Sequence, residues 1–158
     1  MIALDRFYVY QRLMKFILAL LLPLQVYALK FEVIGPCDSK PILETTTTLK
    51  NTNLGHLTEF VLNKNSIPYT GDESGIGSIA KSPVGDDALE VLSDSTMRAY
   101  GWCVEVDGFQ PDVMPDQVMI GENVQHIKWF YAFSLYESGE WTQYCTPSHT
   151  VKSPQICK

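Results

Sequence analysis

The chain has 158 residues, of which 46% are hydrophobic and 19% charged, and its formal net charge is −6 at pH 7. This length suits one compact domain better than two, and the apolar content excludes an intrinsically disordered chain. The acidic balance, with a sequence pI near 4.9, argues against a surface that binds nucleic acid.

The N-terminal region has the pattern of a secretory signal peptide. Lys15 precedes a short apolar block, Phe16–Leu24. Val26 and Ala28 then supply the small side chains that precede a signal cleavage point. The rival interpretation is a buried core helix, but Pro23 and the short length of the block disfavour it.

We therefore predict that residues 1–28 are a cleaved signal peptide, with Met14 as an alternative start, and that residues 29–158 form a single mature domain. The mature chain would carry nine basic and 17 acidic residues, a net charge of −8. The apolar block is shorter than the roughly 20 residues of a membrane-spanning helix. We expect a secreted or periplasmic protein without a stable membrane anchor after cleavage.

All cysteines of the chain lie in the predicted mature part, and an even number in an exported protein predicts two disulfides. Four cysteines allow three pairings, and their spacing does not choose among them. We favour Cys103 with Cys145, which would join neighbouring strands, and Cys37 with Cys157, which would fasten the tail to the first hairpin. The chain has no Cys-x-x-Cys motif and its three histidines are scattered, so a zinc site is a weak alternative.

The first part of the mature chain predicts two strands and a helix. Lys30–Ile34 alternates in polarity, and Pro41–Lys50 carries a run of β-branched threonines, so the two segments could pair as a hairpin. Asn53 is a candidate N-cap for a helix that ends between Asn63 and Asn65. Its apolar residues recur at helical spacing.

The second part predicts an irregular stretch followed by strands. Residues 66–96 are rich in glycine and proline and are expected to be largely irregular. Met97–Val106 alternates clearly and ends at an Asp-Gly turn signal. A brief strand at 118–120 is expected before His126–Tyr136, a long aromatic strand that forms a hairpin with Trp141–Cys145.

This order of elements, with one helix and several strands, predicts an α+β domain in which one helix packs on a small mixed or antiparallel sheet. The aromatic strand carries large apolar side chains on both faces. We expect both faces to be packed, one under the helix and one under the 66–96 segment, and the alternative is a ligand surface.

Several of these segments together resemble the transcobalamin-like C-terminal domain family. The resemblance rests on Tyr100–Gly108, on Pro111-Asp112, and on the aromatic strand that begins His126-Ile127-Lys128-Trp129. The upstream Tyr69-Thr70-Gly71 and Gly75–Ile79 segments also match the connection that this family places between helix and strands. The resemblance covers residues 30–146 and is best at 97–133.

The resemblance implies a β-grasp-like fold, an exported domain and a role in ligand binding. In the animal cobalamin carriers this domain closes over cobalamin beside a separate helical domain, so a cobalamin-type ligand is one expectation. A small molecule, a glycan or a protein is the more general one. Many bacterial relatives are exported modules without an assigned activity.

The sequence carries no motif that assigns a catalytic step. Ser78 lacks the Gly-x-Ser-x-Gly setting of a hydrolase nucleophile. The carboxylates Asp107, Asp112 and Asp116 lack the spacing of a calcium loop, and they suit turns and a solvated connection. We expect a non-catalytic binding module without a metal, and the alternative is a secreted hydrolase or another small extracytoplasmic enzyme.

Four aromatic residues are the candidate ligand-binding residues. Tyr100 and Trp102 share one face of their strand, while Trp141 and Tyr144 lie on the last hairpin. Exposed aromatic side chains offer a large contact area at low entropic cost. The rival interpretation places Trp102 and Trp141 in the core, and the two interpretations predict opposite effects of substitution on stability.

Overall fold

The computed structural model describes residues 28–157, so the predicted signal peptide lies outside the described residues except for Ala28. The strands are β1 (Leu29–Ile34), β2 (Pro41–Thr47), β3 (Thr52–Asn53), β4 (Tyr69–Asp72), β5 (Gly75–Ile79), β6 (Leu89–Ser93), β7 (Thr96–Val106), β8 (Met119–Ile120), β9 (His126–Glu137) and β10 (Glu140–Pro147). Helix α1 spans Leu54–Lys64, and short 3-10 turns lie at Gly85–Ala88, Pro115–Gln117 and Ser148–Thr150. No helix among residues 28–157 is long and apolar enough to cross a membrane.

The main sheet is mixed and has the strand order β2-β1-β9-β7-β6, with β10 also paired to β9. β1 pairs antiparallel with β2 but parallel with β9, where Phe31 lies opposite Ile127. β9 in turn pairs antiparallel with β7 along its length and with β10 near its end. Residues 28–157 are mostly β, with one helix beside a mixed sheet, which is compatible with the predicted α+β class.

Helix α1 begins where the sequence indicates. The Asn53 side chain accepts a hydrogen bond of 2.6 Å from the His56 backbone N–H, which satisfies one of the free donors at the helix start. The residues on one side of the helix are buried, among them Leu54, Leu57, Val61 and Leu62. This side packs with one face of the sheet, which we call the inner face.

Two groups of buried side chains lie on the inner face, and Trp102 packs against both of them. The first cluster combines the helix with residues of β1 and β9, including Phe31, Val33 and Trp129. The second cluster consists of Ala88, Tyr100, Tyr131 and Phe133, with Trp102, Leu135 and Ile156 packed against it.

The segment 66–96 is more regular than the sequence predicts, because it contains the β4–β5 hairpin and strand β6. It also covers the same face as the helix. The Trp102 indole N–H donates to Ser82 Oγ at 2.8 Å, and the Tyr131 hydroxyl donates to the Pro83 carbonyl at 2.8 Å. The expectation that this segment packs on the opposite face is therefore wrong.

The opposite, outer face carries charged side chains across four strands. In register, Glu44 lies opposite Glu32, Glu32 opposite Lys128, and Lys128 opposite Glu105. Lys128 forms an ion pair with Glu105, and the Glu32 carboxylate contacts the Lys30 ammonium group and the His126 ring. Burial alone would raise the pKa of Glu32, but hydrogen bonds from Lys30 and His126 lower it below its ordinary value.

Both predicted disulfides are present, with the favoured pairing. Cys37–Cys157 joins Cα atoms 5.4 Å apart, and Cys103–Cys145 joins Cα atoms 5.9 Å apart. The geometric reason for the second bond differs from the expected one, because β10 pairs with β9 and not with β7 among the described residues. A register shift in β10 between Gln143 and Thr146, with Cys145 at φ +48°, accompanies its approach to Cys103.

Candidate functional site

Strand β7 has one half that is paired on both edges and one half that is not. On the edge away from β9, strand β6 pairs with Thr96–Ala99 only. At the far end, Val106 forms a bridge with Phe109. Within residues 28–157, no strand pairs with the intervening part of that edge. We call this part, Tyr100–Glu105, the open edge.

A cleft of about 260 Å³ lies beside the open edge. Its walls come from β7, from the β4–β5 hairpin and from the connection that follows β7. The lining residues include Gly75, Ile76, Trp102, Val104, Pro111, Met114 and Trp129. Ser74 and Gln110 are polar residues of the lining, and Cys103 and Cys145 contribute a disulfide.

The hairpin wall is fixed to the start of helix α1. Glu73, at the hairpin tip, accepts hydrogen bonds from the Asn53 amide at 3.1 Å and shares one of 2.9 Å with the His56 ring. These bonds hold the pKa of Glu73 below its ordinary value. Gly55 lets the two elements approach closely, since a Cβ at that position would lie 1.8 Å from the Glu73 carbonyl oxygen.

The opposite wall belongs to a connection with exposed apolar side chains. Phe109 is 80% exposed and Met114 is 62% exposed, and Val113 beside them is also exposed. The connection is tied to the helix because the Leu54 N–H donates to the Val118 carbonyl at 2.8 Å. The connection that forms this wall, with Met114 in the lining, therefore exposes apolar surface and is anchored to helix α1.

Trp102, a predicted site residue, lies in the wall of this cleft. It is partly buried, its ring meets Tyr131 edge-on with centroids 5.5 Å apart, and its N–H is bonded to Ser82. Trp102 is also one of the residues that line the cleft. Trp102 is thus held in place on one side and offers contact area on the other.

Tyr100, the second predicted residue, is buried in the second cluster, where it stacks on Tyr131 with centroids 6.0 Å apart. Its hydroxyl donates to Glu90 at 2.6 Å. Burial raises the pKa of Tyr100, and the hydrogen bond to Glu90 raises it further. Burial likewise raises the pKa of Tyr131 to about 12.

Glu90 is the centre of a hydrogen-bonded group that fastens the C-terminal segment. One of its carboxylate oxygens accepts from Arg98 at 3.0 Å and from Tyr100, and the other accepts from the Ser153 hydroxyl at 2.6 Å. Burial alone would raise the pKa of Glu90, but bonds from Ser153, Tyr100 and Arg98 hold it below its ordinary value. The group therefore supports Tyr100 as a packed residue.

Trp141 and Tyr144, the other two predicted residues, are exposed by 41% and 68%. Trp141 lies opposite Tyr136 on the outer face, and the two rings meet edge-on with centroids 5.4 Å apart. Tyr100 and Trp102 lie on the inner face instead. The sheet therefore separates Trp141 from Tyr100 and Trp102.

The sequence reasoning overlooked the rest of the cleft. Ile76 and Met114 line it from segments whose sequences show no strand or helix periodicity. The available signal was the group of apolar residues Phe109, Val113 and Met114 among prolines and carboxylates, a composition that solvated loops rarely have.

The side chains considered for catalysis are engaged in other contacts. Ser78 is buried and donates to the Ser82 carbonyl at 2.9 Å. The rings of His56 and His126 are hydrogen-bonded to Glu73 and Glu32. In the part of the chain that the structure describes, no group of three His, Cys, Asp or Glu side chains could hold a metal ion.

Comparisons with known proteins add one structural likeness. No family model matches the chain, and no curated protein matches it. A crystal structure from Ruminococcus gnavus ATCC 29149, of a protein described provisionally as metal binding, is similar at 19% identity with a TM-score of 0.43. The match covers 66% of this chain and 94% of that chain.

Proposed function

We propose that this protein is an exported, disulfide-bonded, non-catalytic binding module of β-grasp type, and that its ligand binds at the cleft beside Trp102. Export is the role of the predicted signal peptide, residues 1–28. The two disulfides support this assignment because such bonds persist in oxidising compartments outside the cytoplasm.

The observation that carries the proposal is an apolar cleft held between rigid elements. Trp102 and Val104 lie on a long paired strand, and the two other walls are tied to helix α1. A preformed cleft with an aromatic wall and few polar groups is the usual form of a binding site. Preorganisation of this kind reduces the entropic cost of binding.

The size of the cleft limits what it can enclose. Typical pockets for drug-sized ligands have volumes of about 300–1,000 Å³, and this cleft has about 260 Å³. It suits a side chain or a sugar-sized group of a larger ligand. The cobalamin-type ligand implied by the family resemblance would therefore contact the cleft through one part of its structure only.

Tryptophan fluorescence of the mature chain tests this proposal. The chain has three tryptophans, and Trp102 and Trp129 line the cleft. A Trp141→Phe protein would leave only these two reporters. We expect a saturable change in emission with one class among corrinoids, oligosaccharides and peptides, and a smaller change after a further Trp102→Phe substitution.

The outcome that contradicts the proposal is equally direct. If no class changes the emission of the Trp141→Phe protein at millimolar concentration, the cleft is not a binding site. If binding occurs but only the Trp141→Phe substitution weakens it, the ligand binds on the outer face and the cleft assignment is wrong.

A further inference from the structure

We propose that the open edge of β7 binds an extended peptide of a partner protein as an additional strand, with the apolar side chains of the peptide in the cleft and its basic side chains beside Glu105. This inference rests on the proposed function, because it names the class of ligand for the same cleft.

The backbone of the open edge has the required free groups. The Val106 N–H donates to the Phe109 carbonyl, away from β9, while the Asp107 N–H donates to the His126 carbonyl. The β7–β9 pairing runs without a register shift, and amide directions alternate along a strand. The N–H and C=O groups of Trp102 and Val104 therefore point toward the open edge.

An unpaired strand edge of this kind is a template for another strand. A bound peptide would satisfy these donors and acceptors through its own backbone, and side-chain pockets would provide specificity. A Cβ at Gly101 would meet no atom within 4 Å, so the outer face of β7 is uncovered at this position.

The two faces of β7 define the pattern of side chains in such a peptide. Side chains alternate between the faces of a sheet. Those beside Trp102 and Val104 would enter the apolar cleft, while the alternate ones would lie beside Cys103 and Glu105 on the outer face. An alternation of apolar and polar residues is therefore expected.

The local charge favours basic residues at the polar positions. Residues 99–127 contain five carboxylates and no Lys or Arg: Glu105, Asp107, Asp112, Asp116 and Glu122. Glu105 is already paired with Lys128 of β9, so the segment keeps a net negative charge even with this neighbour included. A peptide with lysines opposite this segment is complementary to it. A second copy of β7 at the same edge is disfavoured, because it would bring another acidic segment to the same place.

The test uses the mature Trp141→Phe protein and an N-acetylated heptapeptide of alternating valine and lysine, with valine at both ends. We expect saturable binding by fluorescence and at least tenfold slower amide hydrogen exchange at Trp102 and Val104. A heptapeptide of alternating valine and glutamate should bind at least tenfold more weakly.

Two N-methylated forms of the valine–lysine peptide distinguish strand addition from other binding. Methyl groups on the alternate amides that face β7 should weaken binding at least tenfold. Methyl groups on the other set of amides should leave binding nearly unchanged. A Val104→Pro protein should also bind weakly, since proline removes an outward N–H and is tolerated at sheet edges.

The outcomes separate this inference from the proposed function. If both methylated peptides bind as well as the parent peptide, strand addition is wrong although the cleft binds peptides. If no peptide binds but a corrinoid or an oligosaccharide changes the Trp102 emission, the peptide inference fails and the proposed function stands. If no probe changes the emission, both fail. Protection of Trp102 and Val104 without peptide, in a dimer, would assign the edge to a second copy and overturn the proposal.

Discussion

The two faces of the main sheet differ in what covers them and in the side chains that they carry. The inner face is covered by the helix and by the 66–96 segment, and its residues form two apolar clusters. The outer face instead carries a row of charged residues, from Glu44 through Glu32 and Lys128 to Glu105. Trp141, opposite Tyr136, extends this outer surface toward the last hairpin.

The difference shows that the burial of an aromatic residue in these strands depends on which face of the sheet it lies on, and less on its residue type. Trp102 and Trp141 have the same side chain, yet one is bonded and packed while the other is 41% exposed. If burial decides the energetics, substitutions on the inner face should cost much more stability than those on the outer face.

The largest effect is expected in the first cluster. Leu57→Ala removes a fully buried side chain from the helix–sheet contact, and we expect a loss of about 3 kcal/mol in the free energy of unfolding. Urea denaturation measures it. Phe60→Ala on the same helix is the control, because Phe60 is 41% exposed. Equal losses in the two variants would contradict the assignment of the inner face as the core.

The two tryptophans sharpen the comparison. Trp102→Ala removes a ring packed on Tyr131 and a hydrogen bond to Ser82, so we expect a loss of about 3 kcal/mol. Trp141→Ala removes only an exposed ring and its contact with Tyr136, with an expected loss of about 1 kcal/mol. Thermal or urea unfolding of both variants measures these losses. A larger loss for Trp141→Ala than for Trp102→Ala would contradict the assignment of Trp102 to the packed face.

The Glu90 group predicts a pH dependence. Because the pKa of Glu90 is lowered in the folded protein, its contribution is present above the unfolded pKa of about 4.3 and is lost as the pH falls through the folded value. Glu90→Gln should cost about 1.5 kcal/mol at pH 7. The variant should also lose less stability than the native protein when the pH falls from 5 to 3, as measured by urea unfolding at several pH values. An unchanged acid profile in the variant would show that Glu90 does not stabilise the fold through its charge.

The smallest effect is expected on the outer face. Glu105→Gln removes the ion pair with Lys128, whose side chains are partly exposed, and surface pairs contribute about 0–1 kcal/mol. The difference from the native protein should shrink further in 1 M NaCl because salt screens exposed charges. A loss as large as that of Leu57→Ala would mean that the outer face carries a structural network of its own.

Much of the fold could be predicted because local signals and tertiary structure agree. The alternation in Met97–Val106 and His126–Tyr136 corresponds to β7 and β9, and the Asn53 cap marks the start of α1. The Ser138-Gly139 turn has positive φ values at both central residues, which matches the expected hairpin.

The missed elements depend on contacts between distant segments. Strands β4 and β5 contain glycines and few β-branched residues, and Glu73 at their turn is fixed by Asn53 and His56, which belong to another element. Periodicity also cannot tell which of two apolar faces a connecting segment will cover. The cleft was missed for the same reason, since its walls come from three separate parts of the chain.

The parallel pairing of β1 with β9 has a consequence for how the chain acquires its structure. Phe31 meets Ile127 only after nearly a hundred residues have been synthesised between them. Such remote contacts carry a high loop-closure cost, and proteins dominated by them fold in about milliseconds to seconds. During synthesis the β1–β2 hairpin would present an unpaired edge until β9 emerges, and the Cys37–Cys157 bond can form only later still, because Cys157 follows β9 in the chain.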